Sequence, residues 1–355
     1  MNADSPSAAP GTNRDIQEFV RALPKAELHV HLEGSVRPRT LLELAGRHRV
    51  DLGVRDEAGL RARYQFTDFP AFVRTYVTVC DCLRSGEDFA LITQELGHDA
   101  ARQNIHYLEA TFTAVRHVQA TGLPFDEVMD GIAAGAAAAQ REYGVTMRFI
   151  PDYPRDFGVE GLMQTVDWAI AGMDRGVVAL GLSGMENEVP SLPFAPAVAR
   201  AKAAGLYFAP HAGEIAGPQV VRDCLAMGAD RIGHGIHAAD DPALLEELRT
   251  LQIPLEVCPT SNLCTGAATS LADHPLRRLW EAGDFVTLNS DDPPMFNTDL
   301  VQEYALAATA FGFSAAELAR LSLNGARAAF LPATDKAALV ARFEAELGTL
   351  GAPLS

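Results

Sequence analysis

Positive charge is scarce in this chain. Only three lysines (Lys25, Lys202 and Lys336) occur in 355 residues, and 29 basic side chains face 46 acidic ones, for a net charge of -17. Such an excess repels phosphate backbones and anionic lipid, so neither a nucleic-acid partner nor a membrane surface is expected. Cysteine is sparse as well. Cys80, Cys82, Cys224, Cys258 and Cys264 form no metal-ligand repeat and are too few for a disulfide framework, which suggests a reducing compartment. The sequence does not open on a basic region followed by an apolar run, and no apolar stretch reaches the roughly 18 residues of a membrane helix. A cytoplasmic location is the resulting expectation.

What is present is an ordinary globular composition, 48% hydrophobic and 21% charged. This length allows two domains, but a single α/β barrel routinely uses it. Residues 1–13, rich in Ala, Pro, Ser and Asn without any period, read as a disordered tail, leaving 14–355 as one domain. From there, short β-like runs alternate with helical patterns. The runs expected as strands are 26–34, 106–113, 146–154, 177–184, 207–214, 230–235, 254–262 and 285–293. Eight strands, each followed by a helix, predict a (β/α)8 TIM barrel. The interval from Gly34 to His106 is about twice what one crossover helix needs. Its segment FTDFPAFVRTYVTVCDCL (66–83) reads as extra helices over the barrel mouth, and the aromatics Phe66, Phe69, Phe72 and Tyr76 are expected mostly as helical core. The tail after Phe330 predicts a C-terminal helix on the barrel exterior.

Polar residues fall at telling places in these runs. His29 and His31 are two apart on the first strand and share a face. His211 ends the fifth, His234 the sixth, and Asp291 and Asp292 the eighth, so all converge on the C-terminal mouth where sites of this fold lie. Imidazole with carboxylate suits a borderline ion such as zinc. Glu214, three residues after His211, is placed to pass a proton between water and substrate. His48, His98, His106, His117, His237 and His274 lack this placement and read as surface or packing histidines. The fourth strand, VVALGLSG, has no lysine that could be modified to bridge two ions, so one ion is expected.

The ordered set LPKAELHVHLEGS, HAGE, GHG, CPTSN and LNSDDPP, spread from residue 23 to about 330, resembles the adenosine deaminase family of the amidohydrolases. That resemblance implies one zinc per chain held by His29, His31, His211 and Asp291. It implies that His234 and Asp291 orient and deprotonate the attacking water, while Glu214 delivers a proton to purine N1. Asp292 would bond N7, the Gly184 backbone N–H would address N3, and His31 would border the substrate. Glu33 stands where the family has an aspartate on the ribose side, and Gly184-Met185-Glu186 replaces a Gly-Asp-Glu pattern. The implied reaction converts a 6-aminopurine nucleoside, adenosine or 2′-deoxyadenosine, to its 6-oxo product and ammonia. Alternatives are a 5′-modified adenosine such as 6-aminodeoxyfutalosine, an intermediate of menaquinone biosynthesis, free adenine, a different hydrolysed bond, or a purine-binding protein without activity. Arg116 and Arg155 follow strands two and three, and either an anionic 5′-substituent or neighbours such as Glu109 and Asp152 could engage them. Oligomeric state stays open.

Overall fold

The computed structural model describes residues 13–352 apart from Thr67 and Asp284. The expected tail lies outside the described residues up to residue 12, and Asn13 already opens a helix, Asn13–Ala22. Eight strands follow: β1 (Lys25–His31), β2 (Ile105–Phe112), β3 (Thr146–Pro151), β4 (Ala179–Leu182), β5 (Tyr207–Ala212), β6 (Ile232–His234), β7 (Leu255–Val257) and β8 (Val286–Leu288). Each matches an expected run but most stop short of its C-terminal end. The polar ends of those runs (HLEG, HAGE, CPTSN, NSDDP) leave the ladder and become the loops of the mouth.

All ladders are parallel, in the orders β1-β2-β3 and β4-β5-β6-β7-β8. Two seams join the sheets into an α/β barrel. Between β3 and β4, Phe149 bridges Val177 and Pro154 bridges Ser183. Between β8 and β1, Val30 bridges Asp291, but side chains replace most of the ladder. Asn289 Oδ1 accepts from the Leu28 and His29 N–H groups at 2.8 and 3.1 Å, and Glu27 accepts from the Ser290 N–H at 3.1 Å. Buried backbone donors must find partners, and here side chains supply them.

The helices are punctuated by local chemistry. Between β1 and the crossover helix Gly86–Arg102 lie three more, Pro38–His48, Glu57–Arg63 and Phe69–Cys80, which is the expected excursion. Asp68 caps the last of these by accepting from the Ala71 N–H, and Ser85 caps the crossover helix in the same way. Helix Ala315–Ala328 starts on a reciprocal capping box, Ser314 with Glu317, and packs against β1 and β8. The expected C-terminal helix is Ala333–Thr349, which buries Phe343 and Leu347. Among the described residues, no helix is long and apolar enough to cross a membrane.

Candidate active site

Alternation along β1 turns His29 and His31 into the barrel together. His234 and Asp291 turn inward by a different device, left-handed backbone at the strand ends, with φ of 59° and 66°. Such φ costs a residue other than glycine about 1–3 kcal/mol, and it is tolerated here where side chains must be aimed. His31 Nε2 comes to 3.2 Å from His211 Nε2 and 3.3 Å from Asp291 Oδ1, while His29 Nε2 lies 3.5 Å from the same oxygen. A tetrahedral ion with ligands at about 2.0–2.1 Å sets its ligand atoms roughly 3.3–3.4 Å apart. The observed spacings match. His29 Nε2 is also buried without a hydrogen-bond partner, the kind of orphaned lone pair that an ion satisfies. These four residues could therefore hold one divalent cation.

The electrostatics agree. Burial opposes charge on His29, yet Asp291 and Glu256 outweigh it and lift the imidazole to about 10. Burial and the surrounding histidines hold His211 well below its usual range. Positive charge is thus favoured at the centre of the cluster and disfavoured on the histidine at its side. Asp291 is itself buried, but His29, His234 and His31 keep its carboxyl well below the ordinary value.

Two further carboxyl groups are tuned the other way. Burial, then the charges of Asp291 and Glu186, push Glu214 well above a normal glutamate. Burial and its neighbour Asp291 do the same to Asp292. Both carboxyl groups thus favour the protonated form relative to Asp291. Glu214 follows β5 and approaches His234 Nε2 at 3.6 Å. Its loop is tied down by Glu186, which accepts from the N–H groups of Gly213, Glu214 and Ala216 at 2.9, 3.3 and 3.4 Å. Asp292 Oδ1 is buried without a partner and presses against Gly34, where a Cβ would fall 1.6 Å from it. Only glycine fits there.

Behind the cluster runs a charged column through the barrel. His29 Nδ1 meets Glu256 Oε2 at 2.8 Å, Glu256 pairs with Arg231, and Arg231 pairs with Glu109, which accepts from the Tyr107 hydroxyl at 2.6 Å. Sequence reasoning missed these supports, although charged residues within three apolar runs (HYLEA, DRIG, PLEVC) were the available signal. The CPTSN segment also has a task. Ser261 Oγ donates to Asp291 Oδ2 at 2.7 Å, and Asn262 Nδ2 sits 3.1 Å from His234 Nδ1.

Other expectations need correction. His274, expected as a packing histidine, is buried and contacts Asn262 at 3.1 Å behind His234. His117 is buried against Glu33, whose Oε1 accepts from His117 Nε2 and from the Thr113 N–H, each at 2.8 Å. Glu33 itself is fully buried and is not among the cavity-lining residues. Arg155 is fully buried and spends its guanidinium on the carbonyls of Ser183 and His211, at 2.9 and 2.7 Å. Arg116 pairs with Asp81 at 2.6 Å, and its buried Nε lacks a partner.

Above the cluster opens a cavity of about 830 Å³ including its mouth, lined by His31, His211, Glu214, His234, Asp291, Asp292 and Gly184. Its roof is helix Phe69–Cys80. Phe69, Phe72 and Tyr76 face the cavity and do not form a separate helical core, whereas Phe66 packs on Phe72 and Phe296. Arg116 lies on the cavity wall among these apolar groups.

The sequence profile described as Adenosine deaminase matches residues 24–346. An aminodeoxyfutalosine deaminase from Streptomyces avermitilis is 43% identical over 336 residues, which cover 94% of each chain. Among solved structures, an adenine deaminase from Arthrobacter aurescens superposes with a TM-score of 0.87 at 30% identity, covering 92% of this chain and 99% of the other. An amidohydrolase from Burkholderia ambifaria with bound zinc superposes with a TM-score of 0.86 at 28% identity, covering 94% of both. A histidine and carboxylate cluster at the barrel mouth thus lies in a chain similar along nearly its whole length to deaminases, and the chain belongs to the adenosine deaminase family of hydrolytic aminopurine deaminases.

Proposed function

We propose that this enzyme deaminates a 5′-modified adenosine such as 6-aminodeoxyfutalosine, with zinc held by His29, His31, His211 and Asp291. The observation that carries this reading is the outer half of the cavity. An apolar wall of Phe69, Phe72, Val73, Val77 and Phe157 continues past the polar cluster, and Arg116, paired on one side with Asp81, stands in it with an unpartnered buried Nε. Adenosine or free adenine has no anionic group to meet that arginine, whereas an anionic 5′-substituent does. The 43% identity to an aminodeoxyfutalosine deaminase supports the same choice over adenosine itself.

Bound zinc would supply the Lewis acidity that brings the pKa of water near neutrality. The chain's own groups do the rest. Protonated Glu214 presents a proton to ring N1, which makes C6 electrophilic. Asp292, also protonated, donates to N7, and the Gly184 N–H, in a backbone with φ of 87°, reaches N3. His234 and Asp291 orient the attacking oxygen. Collapse of the adduct breaks the C6–N bond: the amino group leaves as ammonia with one proton of the attacking water, the other proton restores Glu214, and the 6-oxopurine keeps the oxygen and the proton on N1.

Ammonia release from 6-aminodeoxyfutalosine, adenosine, 2′-deoxyadenosine and adenine, compared by kcat/KM, tests the assignment. The 5′-modified nucleoside is expected to lead by at least about tenfold, the worth of one charged contact. Adenine in first place would instead favour the second reading, which the similarity to the Arthrobacter adenine deaminase supports. In that event Arg116→Gln should leave turnover unchanged. Under the first reading it should raise KM for the anionic substrate about tenfold and spare adenosine.

A further inference from the structure

We infer that Asn262 and His274 act as positioning residues that lock His234 in a single tautomer, with its proton on Nε2 and pointing into the cavity. The argument begins at a donor whose identity is fixed. The backbone N–H of Leu276 lies 3.2 Å from His274 Nδ1. An amide nitrogen can only donate, so Nδ1 of His274 accepts, and the proton of a neutral imidazole must sit on Nε2. Burial depresses His274 to about 4, which keeps the ring neutral.

The next contacts follow by elimination. His274 Nε2–H points at Asn262 at 3.1 Å, so the atom facing it must be the amide oxygen. The amide nitrogen then faces His234 Nδ1, also at 3.1 Å, and donates to it. With Nδ1 occupied as an acceptor, His234 carries its proton on Nε2. Amide orientation and tautomer are usually assigned from a network rather than seen. Here one backbone N–H settles all three side chains in turn.

The geometry on the cavity side agrees. His234 Nε2 is 3.6 Å from Glu214 Oε2 and 3.8 Å from Asp291 Oδ2, too far for a direct bond to either. An N–H aimed between two carboxyl groups, with space in front, is a donor waiting for an oxygen atom. In this tautomer His234 cannot take a proton from water through Nε2, because that nitrogen already bears one. It stabilises the oxygen as negative charge develops, and of the pair only Asp291 is left to accept the proton. The pairing of His234 with Asp291 in deprotonation, expected from sequence, is thereby divided into a donor and a base.

Nitrogen-15 NMR of histidine-labelled, zinc-loaded full-length protein tests the tautomer directly, with the signal assigned through His234→Gln. His234 is expected to show a protonated, pyrrole-type Nε2 and a pyridine-type Nδ1. The reverse pattern in the parent protein would overturn the inference, whether or not any variant folds. Asn262→Asp, nearly isosteric, offers His234 an acceptor where it now meets a donor and should move the proton to Nδ1. That change should lower kcat about 100-fold, the cost of losing one preorganised donor, with KM and bound zinc nearly unchanged. A kcat within about threefold of the parent would contradict the account, since a lost donor of this kind is expected to cost far more. His274→Leu should lose part of the same activity, and His274→Gln, which can still donate to Asn262, should recover most of it.

Discussion

Glu256 serves two partners at once, His29 through one oxygen and Arg231 through the other. Removing its charge with Glu256→Gln should weaken zinc affinity about 10- to 100-fold, the usual effect of losing a carboxylate behind a ligating histidine. Competition with a chelator measures this. Arg231 is fully buried between Glu109 and Glu256. Arg231→Met would strand two buried carboxylates and is expected to cost about 3–5 kcal/mol in denaturant unfolding. Glu303 carries a different signature. Burial lifts it from 4.5 to about 7, with hydrogen bonds from Thr260 and Thr298 only partly opposing. The native state therefore keeps a proton that the unfolded chain releases, so this group's contribution to stability declines as pH rises from 4.5 to about 7 and is level beyond. Glu303→Gln, which mimics the protonated form, should flatten the stability difference between about pH 5 and pH 8 by up to roughly 3 kcal/mol. At this scale the sequence displayed the histidines and Asp291 because they interrupt apolar runs. Glu33, Arg116 and Arg155 were ambiguous because burial and choice of partner depend on segments far away in the chain. Asn262 and His274 were silent because their role exists only through contacts with each other and with His234.

Strands were legible as elements, since parallel strands buried on both faces read as short apolar runs between turn residues. Their ends were not, because the mouth loops begin with the same residues that finish the runs. The β8–β1 seam was likewise hidden. It depends on Asn289 and Glu27 standing in for ladder bonds, and no periodicity announces that. Asn289→Leu would leave the buried N–H groups of Leu28 and His29 unpaired and should destabilise the fold by about 2–5 kcal/mol, read from thermal or denaturant unfolding. Helix Phe69–Cys80 shows the same limit. Its aromatics look like core in sequence, yet Phe69, Phe72 and Tyr76 line the cavity, a placement that depends on how the whole helix crosses the mouth. Phe72→Ala should raise KM for the substrate with kcat largely kept, a loss of about 1–2 kcal/mol in binding from apolar contact.

The molecule as a whole gathers its chemistry at one end of a barrel whose net charge is -17. Carboxyl groups dominate the site too, and they are pushed in opposite directions: Asp291 is held well below the ordinary carboxylate range, while burial raises Glu214 and Asp292 well above it. Stripping the metal should abolish turnover, and one equivalent of zinc per chain should restore it, with metal content read by elemental analysis. Two tightly held ions would contradict a single four-residue site. The most direct test of the account is the turnover of zinc-loaded Glu214→Gln on a 6-aminopurine substrate. The variant should hold as much zinc as the parent and bind substrate comparably, but lose about 100- to 10,000-fold in kcat because the proton for N1 is gone. Turnover near that of the parent would show that the proton comes from elsewhere, and the assignment of Glu214 as its carrier would fail.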